Sequence, residues 1–197
     1  MLTTHFIDAY IDDLRRTSAN ILEINGRGFR AEAIVLVCTF IESLGKDVTQ
    51  LAKPTHNFCY ALINLSGERF WSVIHPGRLE QQLGTLKHPP PRGLFLLQQF
   101  YDATAVQQTI SAALGVQVLS PAHQKAIDSS TVAACVYGRL RSEQVHNYSS
   151  GLGNLSFSAH AFDGAPAPEI EFEFLHRSAD AIVNWMDRNR PQVGLFQ

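Results

Sequence analysis

Apolar residues recur at helical spacing along most of this chain. Phe6, Ile7, Tyr10, Ile11 and Leu14 lie at helical spacing, with acidic residues on the other face, and predict a first helix over 4–18. A turn rich in glycine (Gly26, Gly28) leads to a second helix over roughly 30–46. Its apolar set, Ile34, Val35, Val37, Cys38, Ile41 and Leu44, is too broad for a surface stripe and predicts a mostly buried helix. Gly45 reads as its stop. The short apolar run 56–66 fits a buried helix or a buried strand equally well. Residues 69–83, interrupted by Pro76-Gly77, and 94–114, ended by Gly115, read as helical around the break at His88-Pro89-Pro90-Pro91.

Ser120-Pro121 is a strong helix start, a capping hydroxyl followed by proline at the first helical position. From there Ala126, Ser130, Ala133, Tyr137, Leu140 and Gln144 predict one long helix with a face of small residues. The period then changes. Leu155, Phe157, Ala159 and Ala161 alternate with polar residues, and after Asp163-Gly164 so do Ile170, Phe172 and Phe174. Two runs of period two around a turn signal predict a β-hairpin over about 155–174, with Glu169, Glu171 and Glu173 on a solvated face. A last helix over 177–189 is stopped by Pro191. The expected architecture is mainly α, a helical bundle in a single domain over 1–197, with one small hairpin near the C-terminus.

Composition narrows the function classes. With 197 residues, 45% hydrophobic and 17% charged, the chain has the make-up of a globular domain. It holds no run of some twenty apolar residues that would span a bilayer, and its start lacks a basic-then-apolar signal pattern. A soluble cytoplasmic protein with no membrane partner is the expectation. Cys38, Cys59 and Cys135 are scattered through apolar runs, so they read as buried thiols in a reducing compartment. A net charge of −2 argues against broad clamping of duplex nucleic acid, although a local basic surface can still hold a phosphate or two of a single strand. His5, His56, His75, His88, His123, His160 and His176 lack zinc-site spacing, and no metal or other cofactor is expected. Gly151-Leu152-Gly153 follows a helix instead of opening one, the wrong place for cradling phosphate.

The stretch Arg141–Tyr148, RSEQVHNY, carries the candidate chemistry. Imidazole moves protons near neutral pH, and guanidinium holds a phosphate through paired hydrogen bonds. Arg141 and His146 are five apart, about 140° round a straight helix, whereas Arg139 and His146, seven apart, share a face. A bend, or a second copy packed alongside, would make either pair competent. The plainer alternatives are an Arg139–Glu143 surface ion pair and a His146 that complements the helix C-terminus.

The segment YGRLRSEQVHNY, behind a largely apolar second helix ending IESLG, resembles the HEPN superfamily, whose signature is Arg, four to six residues, then His. Arg141 and Arg139 meet the two spacings, and Tyr148 completes an Arg-x4-His-x-Tyr variant; Ser142 stands where the family often carries Asn, Asp or His. The likeness covers about a quarter of the chain. It implies metal-independent RNA cleavage at a homodimer interface, as in toxin and phage-defence enzymes, with His146 as general base and Arg141, assisted by Arg139, stabilising charge on phosphorus. It places Glu42 as a group orienting the site, against a solvated helix position as its other reading. For Tyr148 it implies modification by a partner nucleotidyltransferase, against an aromatic that stacks a base or fills the interface as the other reading, and it raises an antitoxin protein as a partner. Members that have lost catalysis imply the alternative, a module that binds a partner protein or a nucleotide.

Overall fold

The computed structural model describes residues 4–139 and 160–197. Within them are eight α-helices: α1 (Thr4–Gly26), α2 (Arg30–Thr49), α3 (Pro54–Tyr60), α4 (Pro76–Leu83), α5 (Ala103–Leu114), α6 (Pro121–Asp128), α7 (Val132–Val136) and α8 (Phe172–Arg188). Strands β1 (Ala161–Phe162) and β2 (Ala165–Pro166) form a two-stranded antiparallel sheet. Among the described residues no helix is long and apolar enough to cross a membrane. The chain divides into two compact units. One comprises residues 4–68, 136–139 and 170–197, and the other residues 69–135 and 160–169.

In the first unit α2 packs against α1, α3 and α8, which explains its broad apolar surface. Ala33, Ile34, Val37, Cys38, Ile41 and Leu44 are all fully buried. Helix α1 contributes Ile11, Leu14 and Ile21, and α8 contributes Phe172, Leu175, Ala179, Ile182, Val183 and Met186. The ambiguous run after residue 55 is helical: α3 passes into a π-helical turn, Ala61–Leu65, that lies on α2 and α8. Gly45 does not stop α2. The helix runs on to Thr49 and ends at Gln50, in the left-handed region at φ 56°. Gly45 is needed where α3 crosses, because a Cβ there would stand 2.0 Å from the Asn57 carbonyl oxygen.

Behind α8 the chain turns through short 3-10 segments, Arg190–Gln192 and Gly194–Phe196. Phe196 meets the Tyr10 ring edge-on at 5.8 Å, and the Tyr10 hydroxyl donates to Asp47 Oδ2 at 2.5 Å. Burial, with the Asp47 hydrogen bond and charge beside it, holds the Tyr10 phenol well above its usual range. Burial also raises the Asp47 carboxyl, against the opposing pull of the Tyr10 hydrogen bond and Lys46.

The second unit is built round Ile74, Leu79, Leu83, Phe95, Val106, Ile110, Ala126 and Ile127. An extended segment at 73–75 organises it: Ile74 exchanges backbone hydrogen bonds with Tyr101, His75 N–H donates to Ser130 O, and Val73 O accepts from Val132 N–H. Phe100 N–H and Gln98 O are bonded to Ala161. These pairings claim the backbone around residues 98–101, so the helix expected from residue 94 begins only at Ala103. Asp102 caps it, and Gly115, at φ 66°, ends it as expected.

Ser120 caps α6 as the sequence indicates. Its hydroxyl also bonds His123 Nδ1 at 2.7 Å, while Nε2 of that ring donates to the His88 carbonyl oxygen at 3.0 Å. The imidazole therefore seats the proline-rich break on α6. The long helix predicted from here is broken. Ser129 and Ser130 hydroxyls turn back to Ala126 O, and Thr131 Oγ1 to Asp128 O, giving the backbone an alternative to the helical ladder. Thr131 Oγ1 then accepts from Ala134 N–H, the geometry of a cap on α7.

The hairpin turn is where the sequence places it. Asp163 (φ 50°) and Gly164 (φ 79°) both take positive φ, the requirement of a tight two-residue hairpin turn. The second arm is shorter than expected. Residues 172–174 are helical, because Phe172, Leu175, Ala179 and Ile182 form a continuous buried seam at helical spacing. Glu171 and Glu173 are not a solvated strand row. They flank the start of α8 and lie 3.3 and 3.6 Å from the Arg30 guanidinium. The expected first arm at 155–159 lies outside the described residues.

Candidate functional site

Tyr137, Gly138 and Arg139 continue α7 as a turn of π-helix. Tyr137 fastens this turn to the helical core, its ring packing on that of fully buried Phe58 in α3 at 5.3 Å. Arg139, two residues on, is exposed. Of the predicted site residues, Arg139 and Glu42 are described, whereas Arg141, Glu143, His146 and Tyr148 lie outside the described residues. Glu42 is half-buried on α2 and its Oε2 is shielded from solvent, so a solvated position does not describe it. Cys38 is buried as expected, while Cys59 and Cys135 are half-buried.

The surface of α3 has a distinctive make-up. His56 and Tyr60, four apart, project on one side of the helix with rings stacked 20° from parallel and centroids 6.3 Å apart. His56 is exposed and Tyr60 half-buried. Lys53, also exposed, precedes the helix, and no acidic residue occurs between Asp47 and Glu68. Lys53 is the one Lys, Arg, Asp or Glu in the stretch 48–67. Sequence reasoning passed over this pair, and its signal was the aromatic spacing of four.

Another constellation missed from sequence joins α1 to α8. Ser18 Oγ lies 3.0 Å from His176 Nε2 and donates to Asp180 Oδ1 at 2.5 Å, and His176 Nδ1 is 3.4 Å from Asp180 Oδ2. The residue types are those of a nucleophilic triad, but the proton arrangement is not. His176 Nε2 also lies 3.0 Å from the Ser18 carbonyl oxygen, which only accepts, so Nε2 carries a hydrogen. A nitrogen that donates cannot remove the serine proton, and that proton is already committed to Asp180. Ser18 is 3% exposed. The three residues clamp two helices. The signal was a serine on the buried seam Ile11, Leu14, Ile21, where a polar group needs a partner.

At the end of α8, Asp187 receives Arg190 at 2.5 Å and Arg15 at 2.6 Å. The Arg190 hydrogen bond, aided by Arg15 and opposed by partial burial, holds the Asp187 carboxyl below its usual range. In the second unit an open cavity of about 580 Å³ lies between α4 and residues 89–97, with Glu80, Thr85, Arg92 and Phe95 in its wall. Glu80 Oε1 is engaged by Gly93 N–H at 3.2 Å.

Comparison with family models, curated proteins and solved structures yields no match for this chain.

Proposed function

We propose that this chain is a metal-independent endoribonuclease of the HEPN type, acting as a homodimer. The observation that supports the reading is Arg139, exposed on a turn that Tyr137 fastens to the helical core, directly ahead of Arg141 and His146 in the chain. In the reaction His146 takes the proton of a ribose 2′-hydroxyl, whose oxygen attacks the adjacent phosphorus. The bond to the 5′-oxygen breaks, that oxygen takes up a proton, and the products are a 2′,3′-cyclic phosphate and a 5′-hydroxyl. Arg141 and Arg139 stabilise the charge developing on the phosphoryl oxygens. DNA, without the 2′-hydroxyl, is inert. No metal or cofactor enters, and an antitoxin or a modifying nucleotidyltransferase acting on Tyr148 would be regulators.

Incubation of the purified protein with mixed RNA in EDTA tests this. Cleavage is expected in the wild type, with cyclic phosphate ends, and a loss of roughly 10²–10⁴-fold in His146→Ala, the range for positioned acid–base groups. Equal cleavage by both proteins, or none by either, removes the catalytic reading and leaves a module that binds a partner protein or nucleotide.

A further inference from the structure

We infer that the stacked His56–Tyr60 pair on α3 is a base-stacking step for single-stranded RNA. The choice of RNA rests on the ribonuclease reading; the step itself rests on geometry.

Proteins that track single strands combine exposed aromatic rings, on which bases stack, with positive charge along the backbone. Both ingredients meet on α3. The His56 and Tyr60 rings are nearly parallel, and exposed His56 ends a stack that a base can extend. The exposed His56 ring stands outside the core, which this helix reaches through buried Asn57 and Phe58. Lys53, at the cap position, supplies a cation for phosphate on a stretch free of acidic residues from 48 to 67. Phe58 of the same helix carries Tyr137, which leads to exposed Arg139. His56 and Phe58, two residues apart, lie on opposite sides of α3, so a strand stacked on His56 follows the exposed side of the helix that anchors Tyr137. A stack of two rings is sequence-tolerant, because every base has a π-face, and a purine, with more ring area, binds tighter than a pyrimidine.

The test uses the full chain and an uncleavable 2′-O-methyl oligoadenosine, followed by fluorescence anisotropy, beside an oligomer of the same length with abasic sites. The wild type should bind the base-bearing oligomer about tenfold more tightly than the abasic one. His56→Ala and Tyr60→Ala should bring the two affinities together, while His56→Phe and Tyr60→Phe keep them apart. Because His56 is exposed, His56→Ala should match the wild type in its circular dichroism and urea midpoint. Lys53→Gln should weaken both oligomers alike and lower the salt dependence of binding. The inference is overturned if His56→Ala retains the base-against-abasic difference, or if the wild type shows none. Chelator-resistant cleavage without that difference overturns the stacking step alone. The difference without cleavage supports the step and overturns only the catalytic reading.

Discussion

Gly45→Ala is a substitution whose sign separates two readings of α2. In an open helical position alanine is favoured over glycine by about 1 kcal/mol, so a glycine that merely ended the helix would be replaced without loss. The structure requires the opposite. The new Cβ would stand 2.0 Å from Asn57 O and 2.6 Å from Asn57 C, about 1.4 Å inside the 3.4 Å at which ordinary contact begins. These atoms are backbone and cannot rotate away, so α2 and α3 must separate. Overpacking of this kind costs about 1–3 kcal/mol. Separation also pulls on Asn57, whose Nδ2 donates to Leu51 O at 3.0 Å and whose Oδ1 accepts from Thr49 Oγ1 at 2.9 Å, and each bond is worth about 1 kcal/mol. After the propensity gain, a net loss of about 2–4 kcal/mol remains. At a urea dependence of about 2 kcal/mol per molar, the unfolding midpoint should fall by about 1–2 M. Gly26→Ala is the control: a Cβ there meets nothing within 4 Å, so its midpoint should hold or rise slightly. An unchanged or higher midpoint for Gly45→Ala would refute the close crossing of α2 and α3.

Ser18→Ala removes the donor to Asp180 and should cost about 1–2 kcal/mol in thermal or urea unfolding. A fluorophosphonate should leave Ser18 unlabelled by mass spectrometry, and labelling there would sink the assignment of this cluster as a clamp. For Asp187 the carboxyl lies below its unfolded value of about 4, so its contribution to stability is present above that pH and is lost as pH falls through the lower folded value. Arg190→Met should therefore lower stability at neutral pH and flatten the fall in stability below about pH 4; parallel pH profiles for the two proteins would count against it.

Helix periodicity carried much of the fold because burial is periodic. The broad apolar set of α2 announced a helix covered on several sides, and α1, α3 and α8 cover it. Local stereochemistry was equally readable. Ser120-Pro121 begins α6, Gly115 ends α5, and Asp163-Gly164 turns the hairpin, since each depends on the conformation of one or two residues. The candidate site was less accessible. The Arg139 motif is visible as residue types and spacing, but its exposure depends on the anchoring of Tyr137 on Phe58, 79 residues earlier in the chain.

What the sequence determined by itself was the set of local preferences: which stretches favour helices, where a helix is capped, and which types of group are present for chemistry. Tertiary structure decided the cases in which two local options lie close in energy. Ser129-Ser130-Thr131 can sit in a helix or fold hydroxyls back onto it, and pairing of Ser130 O and Val132 N–H with the segment at 73–75 selects the break. Phe172 can belong to an alternating strand or to a helical seam, and a continuous buried face on α8 selects the helix. Gly45 reads as a stop until another backbone passes 2.0 Å from where its Cβ would be. Such contacts bring together residues distant in sequence, and no single segment of the chain encodes them.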